Sequence, residues 1–240
     1  MRFAADAGAG ADGRRAEAEL DAWQRRMHRP DNEVGWVVPV SVVLARTLDV
    51  ALALTHLTAF TTGVALTVAV RLRVAPDGLP PGELYQRISP YPGLGADLDP
   101  DQRLLLGVEY ADGRTATNLR SGGWPAAPVD DDEPVLAPEG GGGSELSVDN
   151  GFWLSPVPPD GPFAVVCAWG AFGIRETTHV IEHADLATAS TRSTTLWAVP
   201  PVHHPPAPAR EPRLPTTGWF GRAAREGTSG RHEVDGTHLS

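Results

Sequence analysis

The clearest pattern in the chain is an alternation of apolar and other residues between positions 37 and 74. Successive side chains of a strand point to opposite faces, so a period of two predicts half-buried strands. Three such strands are predicted, over 37–46, 49–60 and 64–74. The connections between them, Thr47-Leu48 and Thr61-Thr62-Gly63, have the length of hairpin turns, so we expect an antiparallel meander.

The same alternation returns further along the chain. Residues 104–110 and 114–119 predict a second hairpin around the turn at 111–113, and residues 152–157 and 163–170 predict two more strands. One face of the last strand is apolar and carries Phe163, Val165, Cys167 and Trp169. Seven short strands predict a mainly β chain that folds as an antiparallel β-sandwich or an open barrel.

Helical spacing is found on both sides of this β region. Apolar residues at spacings of three and four predict an N-terminal helix over 14–28, which ends before Pro30. Residues 83–88 predict one helical turn. A short C-terminal helix is predicted over 183–197, with an inward face made of Leu186, Ala189, Ser193 and Leu196.

These segments predict one domain with two tails. We expect a disordered N-terminus over 1–13, a single β-sandwich domain over 14–199 and a Pro-rich disordered tail over 200–240. Inside the domain, residues 121–150 are acidic and Gly-rich, and we interpret them as a disordered loop. The tail either presents a polyproline II ligand to an aromatic groove or serves as a spacer.

Composition excludes several classes of enzyme. All 20 basic residues are Arg, so the chain lacks the Lys that a Walker A loop, a protein kinase or a pyridoxal Schiff base requires. The single cysteine, Cys167, excludes an intramolecular disulfide and a cysteine-based zinc cluster. Because it falls on the apolar face of its predicted strand, we interpret it as a core residue.

The net charge of −10 comes mostly from one segment, since residues 121–151 carry seven acids and no Arg. No basic patch indicates nucleic-acid binding, so no nucleic-acid partner is expected. The apolar stretch 48–70 is about as long as a bilayer is thick, but its five Thr and its alternation favour strands, so no membrane span is predicted. The first residues include no apolar stretch typical of a signal peptide, which predicts a cytoplasmic location.

The sharpest chemical motif is an H-x-x-E-H pattern formed by His179, Glu182 and His183. In inverted zincins the two histidines bind zinc from one helical face, the Glu polarises water, and a third ligand comes from another element. Here the motif follows a predicted strand, and the later acids lie in the predicted tail. We therefore interpret it as exposed histidines beside a helix start, with a metal site as the alternative.

Four further features have weaker chemical interpretations. Residues 8–13 spell G-x-G-x-x-G without a preceding strand, and residues 97–101 open like a calcium loop without its Gly and final Glu. His56 shares an apolar strand face and is interpreted as a buried or edge histidine. Core anchors are predicted at Trp36, Trp153, Trp169 and Trp197.

Three segments, 104–118 (LLLGVEYADGRTATN), 153–169 (WLSPVPPDGPFAVVCAW) and 173–177 (GIRET), resemble an uncharacterised family of proteins from high-GC actinobacteria. The exclusive use of Arg and the richness in Ala, Gly and Pro fit such a genome. The resemblance covers about residues 31–199. It implies no activity and no catalytic residue.

The sequence as a whole predicts a non-catalytic interaction or ligand-binding β-sandwich module. Its partner is expected to be an unknown protein or small molecule, and no cofactor is expected. The enzyme alternative is a metal-dependent hydrolase that uses His179, Glu182 and His183. A third possibility is a stress or membrane-surface accessory protein.

Overall fold

A computed structural model describes Trp23 and residues 26–75, 82–88, 98–120, 132–182 and 185–198. The described strands are β1 (Glu33–Val34), β2 (Trp36–Val38), β3 (Val42–Arg46), β4 (Val50–Ala59), β5 (Val64–Leu72), β6 (Leu105–Glu109), β7 (Thr115–Thr117), β8 (Val135–Gly143), β9 (Ser147–Ser155), β10 (Phe163–Trp169), β11 (Ile174–Ile181) and β12 (Thr194–Thr195). The described α-helices are α1 (Glu83–Ile88) and α2 (Leu186–Ser190). Three 3-10 turns lie at Pro100–Gln102, Asn118–Arg120 and Gly170–Phe172.

The strands form three sheets in which every pairing is antiparallel. The largest has six strands in the order β2-β4-β5-β9-β8, with β3 also paired to β4, and the second has four strands in the order β11-β10-β6-β7. The third is the short pair β1-β12. At their edges β11 lies beside β3 and β7 beside β8. No strand pairing joins the two main sheets within the described residues, so they do not close into a barrel. The predicted mainly antiparallel β class is confirmed.

The predicted meander is confirmed with one change. β3, β4 and β5 pair in sequence, but the strand predicted over 37–46 is interrupted, and its first part, β2, pairs separately with the far end of β4. The interruption falls at Pro39, which has no N–H to donate to a ladder. The hairpin β6-β7 and the single helical turn α1 are also found where the sequence predicts them.

The predicted disordered loop over 121–150 is wrong for its second half. Residues 135–143 form β8, and β9 begins at Ser147, so these two strands complete one side of the six-stranded sheet. The glycines permit this strand pairing, because the backbones of β8 and β9 approach too closely to leave room for a Cβ between them. A Cβ at Gly141 would lie 2.2 Å from the Asp149 carbonyl oxygen, and one at Gly143 would lie 2.0 Å from the Ser147 carbonyl oxygen. Residues 121–131 lie outside the described part.

The two main sheets share one hydrophobic core. The six-stranded sheet contributes residues such as Leu52 and Val68, and the four-stranded sheet contributes Leu106, Val165 and Trp169, all buried. Burial of side chains from both sheets accounts for most of the favourable free energy of such a fold. A second, small cluster lies on the other face of the six-stranded sheet and consists of Phe60, Ala137 and Trp153, with Met27 packed against it.

The segment before β1 is tied to this second cluster. The Arg26 carbonyl oxygen accepts hydrogen bonds from Trp153 Nε1 at 3.0 Å and from Ser155 Oγ at 2.7 Å. The N-terminal helix predicted over 14–28 lies mostly outside the described residues and stays a prediction. The same holds for the tails over 1–13 and 200–240. All described residues belong to one compact unit, Met1–Pro201.

The predicted C-terminal helix is shorter than 183–197. It spans Leu186–Ser190 and buries Leu186 and Ala189 as predicted, but Leu196 is 44% exposed, because the chain has passed into β12 before that residue. None of the helices in the described residues has the length and apolar character needed to cross a membrane.

Candidate functional site

The structure separates the residues of the H-x-x-E-H pattern into a strand and a turn. His179 lies in β11, where it is half-buried and pairs with Val165, and Glu182 is exposed just after the strand ends. His183 lies outside the described residues. This backbone differs from the helix on which the zinc pattern depends. Among the described residues, no group of three or more His, Cys, Asp or Glu side chains could hold a metal ion. The metal site remains an untested alternative.

Cys167 is a core residue, as predicted. Its side chain is 2% exposed on the inner face of β10, and burial raises the pKa of its thiol to about 11. A thiol is nucleophilic as the thiolate, so the group is nearly unreactive at neutral pH.

The other candidate residues divide between core and surface. Trp153 and Trp169 are fully buried, as predicted, but Trp36 and Trp197 are 45% and 57% exposed, so their assignment to the core is wrong. Trp36 lies on the edge strand β2, where the Arg192 guanidinium covers its ring at 5.4 Å. His56 is exposed, because a bulge between Leu54 and His56 turns its side chain away from the core. It lies within hydrogen-bond distance of Thr55 Oγ1 and Thr67 Oγ1.

Among the described residues, one feature suited to binding is an open groove on the outer face of the four-stranded sheet. Its volume is about 280 Å³. The strands β6, β7 and β10 form its floor, and Leu119 and Glu176 lie at its margins. We call this surface the outer groove. Its outward-pointing residues are Leu105, Gly107, Glu109, Thr115, Thr117, Val166 and Ala168.

The floor of the outer groove is recessed because residues with small side chains lie side by side at its centre. Gly107 pairs with Val166 on one side and with Thr117 on the other. Ala168 pairs with Leu105, and Ala164 pairs with Glu109. On antiparallel sheets the solvated face is normally polar, whereas here its central positions are small or apolar. The hydroxyl groups of the threonines add hydrogen-bonding capacity along one side.

Two carboxylates mark opposite ends of the outer groove. Glu109 lies at the end of β6, and Glu176 lies on β11, on the far side of β10. Both side chains are exposed, and neither forms a hydrogen bond or an ion pair within the described part of the chain. The groove lining contains no basic side chain among those residues. The described part of the lining therefore carries a negative charge.

Sequence reasoning missed this site, although a signal was present. The alternation that predicts β6 and β10 assigns their inward residues to the core, and the remaining positions then face outward. Those positions are Leu105, Gly107 and Glu109 on one strand and Ala164, Val166 and Ala168 on the other. An outward face with so few polar residues indicates a surface that something covers.

Comparison with known proteins adds no assignment: no family model, curated protein or solved structure matches the chain. The resemblance to an uncharacterised actinobacterial family stays a prediction.

Proposed function

We propose that this chain is a non-catalytic binding module, a β-sandwich that holds a protein or small-molecule ligand in the outer groove. The observation that carries this proposal is the groove itself, which combines a low apolar floor with hydroxyl and carboxylate groups at its margins. Ligand sites are typically concave and mostly apolar, with a few polar groups that orient the ligand. A cytoplasmic location is part of the proposal.

The chemistry of the groove residues supports binding rather than catalysis. Its ionisable groups, Glu109 and Glu176, belong to strands separated by β10. Neighbouring strands lie roughly 4.8 Å apart, and residues are spaced roughly 3.3 Å along a strand, so the two Cα atoms are about 16 Å apart. Strand side chains stand roughly perpendicular to the sheet, so the two carboxylates are separated by a distance similar to that of their Cα atoms. Paired carboxylates that act as acid and base in hydrolysis lie closer, within roughly 10 Å of each other. The nearby thiol of Cys167 faces the core instead of the groove.

Filling the outer groove tests the proposal. A Cβ at Gly107 would meet the Ala116 carbonyl oxygen and Thr117 Cγ2 at 3.6 Å and Val166 Cβ at 3.8 Å, which are ordinary contacts. The backbone therefore has room for a Cβ at residue 107. We expect Gly107→Val to fold, because β-branched residues suit strands. The valine side chain would occupy the centre of the groove.

The measurement uses Nile red, a neutral apolar dye, with ¹⁵N NMR to locate its contacts. We expect dye-induced shifts on β6, β7 and β10 in the wild-type protein and loss of those shifts in Gly107→Val. The control is Val37→Thr, which removes a 58% exposed apolar side chain on β2, outside the groove, and should leave the shifts unchanged. The proposal is wrong if the dye binds Gly107→Val as it binds the wild type while circular dichroism shows both folded.

A further inference from the structure

We infer that the ligand of the outer groove is an extended basic segment of a partner protein. This segment carries two basic side chains four residues apart and an apolar side chain midway between them. The inference rests on the proposed function and specifies the partner class for the same groove.

The first reason is the unpaired charge of the two groove carboxylates. Two other exposed acids pair with arginines, Asp149 on β9 with Arg71 at 2.7 Å and Asp49 in the turn before β4 with Arg73 at 2.6 Å. At the turn beside β7, Asp112 pairs with Arg114 in the same way. Glu109 and Glu176 have no such partner in the described residues. A basic ligand would supply the missing charges, and the net charge of −10 favours its approach.

The second reason is the spacing of these carboxylates. Glu109 is opposite Ala164 in the β6-β10 ladder. In the β10-β11 ladder Cys167 pairs with Thr177 and Trp169 pairs with Ile174, and the irregularity between these pairs leaves Glu176 beside Ala168. The two acids therefore lie at diagonal corners, about 16 Å apart. In an extended peptide, residues i and i+4 face the same side and lie roughly 13 Å apart, and the reach of Arg or Lys covers the difference.

The third reason is the surface midway between the two acids. Val166 and Gly107 lie there and pair with each other across the β6-β10 ladder. Both are half-buried; Val166 is apolar, and Gly107 has no side chain. Residue i+2 of the same extended peptide faces the sheet, so an apolar side chain there would cover Val166. Small molecules usually bind in sites that enclose most of their surface, whereas this groove is open along its length. The shape therefore favours a peptide segment.

The test compares three synthetic peptides, acetylated and amidated, by ¹⁵N NMR titration of the full chain at low salt. The first is Gly-Arg-Thr-Leu-Thr-Arg-Gly. The second replaces both arginines with citrulline, a neutral isostere, and the third is Gly-Arg-Arg-Leu-Thr-Thr-Gly, with the same composition and adjacent arginines. We expect the first to bind about tenfold more tightly than the second, since exposed ion pairs are each worth up to about fivefold. The third should bind more weakly than the first.

Matched variants assign the effect to the two carboxylates. Glu109→Gln and Glu176→Gln should each weaken binding of the first peptide about two- to fivefold and leave the citrulline peptide unaffected. Glu145→Gln is the control, because Glu145 is an exposed acid in the β8-β9 turn and its loss changes the net charge equally. High salt should reduce the difference between the first two peptides.

The outcomes separate this inference from the proposed function. Equal affinity of the arginine and citrulline peptides, equal affinity of the two arginine spacings, or equal effects of the control and groove variants would each overturn the inference. In those cases the proposed function stands as long as Nile red still maps to the groove and Gly107→Val abolishes its binding. Loss of the Nile red result rejects both.

Discussion

At the scale of single residues, burial decides the chemistry of the few reactive side chains that the structure describes. Cys167 lies between Val165 and Trp169 on the inner face of β10. The low polarity of that environment disfavours the thiolate and raises the pKa to about 11. The thiol should therefore act as a small apolar group in the native protein.

This behaviour predicts slow modification of Cys167. In the native protein near pH 8, a thiol reagent such as iodoacetamide should react much more slowly than it does after unfolding in urea, because both the thiolate population and access are low. The reaction is followed by mass spectrometry, with Cys167→Ala as the blank. Rapid, complete modification of the native protein would contradict the burial of the thiol.

The pKa of Glu139 on β8 leads to a second prediction at this scale. Burial raises the pKa of its carboxyl above the ordinary value of 4.5, while Arg29 and His28 act in the opposite direction. A raised pKa means that the folded state holds the proton more tightly than the unfolded chain. The free energy of unfolding contributed by this group therefore falls as the pH rises from 4.5 through the raised value.

Glu139→Gln removes this pH-dependent loss of stability, because the amide stays neutral at every pH. The variant should gain Tm relative to wild type near pH 8 and gain much less near pH 3.5, where the wild-type carboxyl is already protonated. Thermal unfolding at several pH values provides the measurement. The exposed Glu145→Gln variant is the control and should follow the wild-type profile. A Tm difference that does not change with pH would refute the assigned role of burial.

At the scale of elements, the β8-β9 hairpin depends on two close backbone approaches. Gly141→Ala should lower the free energy of unfolding by about 1–3 kcal/mol, because its Cβ would overlap the Asp149 carbonyl oxygen. The adjacent Gly142→Ala should change it by less than about 0.5 kcal/mol, since nothing lies within 4 Å of a Cβ there. Urea denaturation compares the two. Equal effects would show that the approach at Gly141 is not required.

The same hairpin shows where sequence patterns succeed and where they fail. Alternation predicts β4, β5, β6 and β10 because each of these strands has one face in the core. The Gly run of β8 has no alternating side chains, so its pairing depends on backbone proximity that appears only in three dimensions.

Local irregularities and edges explain the remaining differences. The bulge after Leu54 shifts the phase of β4 by one residue, which exposes His56 and buries Leu57. Trp36 is exposed because it lies on an edge strand, a position that composition does not reveal. The outer groove was predictable only in part. The outward faces of β6 and β10 can be derived from alternation, but the alignment of Gly107 with Val166 depends on the strand register.

At the scale of the whole molecule, the two main sheets depend on each other because neither can bury its apolar face alone. Leu52 of the six-stranded sheet and Leu106 of the four-stranded sheet belong to the same core cluster and are 0% and 2% exposed. The outer groove is the opposite face of the smaller sheet. Its geometry therefore depends on the packing of the core beneath it.

This dependence predicts one cooperative unfolding transition for the described sheets. Leu52→Ala and Leu106→Ala should each lower the free energy of unfolding by about 2–5 kcal/mol, because each removes buried methyl groups and leaves a cavity. In both variants, circular dichroism, which reports strands, and Trp fluorescence, which changes when the buried Trp153 and Trp169 become exposed, should give coincident urea transitions. The control is Val43→Ala on the exposed side of β3, which should lower the free energy of unfolding far less.

If Leu106→Ala shifted only one of the two signals, the four-stranded sheet would unfold separately. The outer groove would then belong to a sheet that can lose its structure while the larger sheet stays folded, so the Nile red shifts should disappear at lower urea than the circular dichroism signal. Under the shared core described here, both should disappear at the same urea concentration.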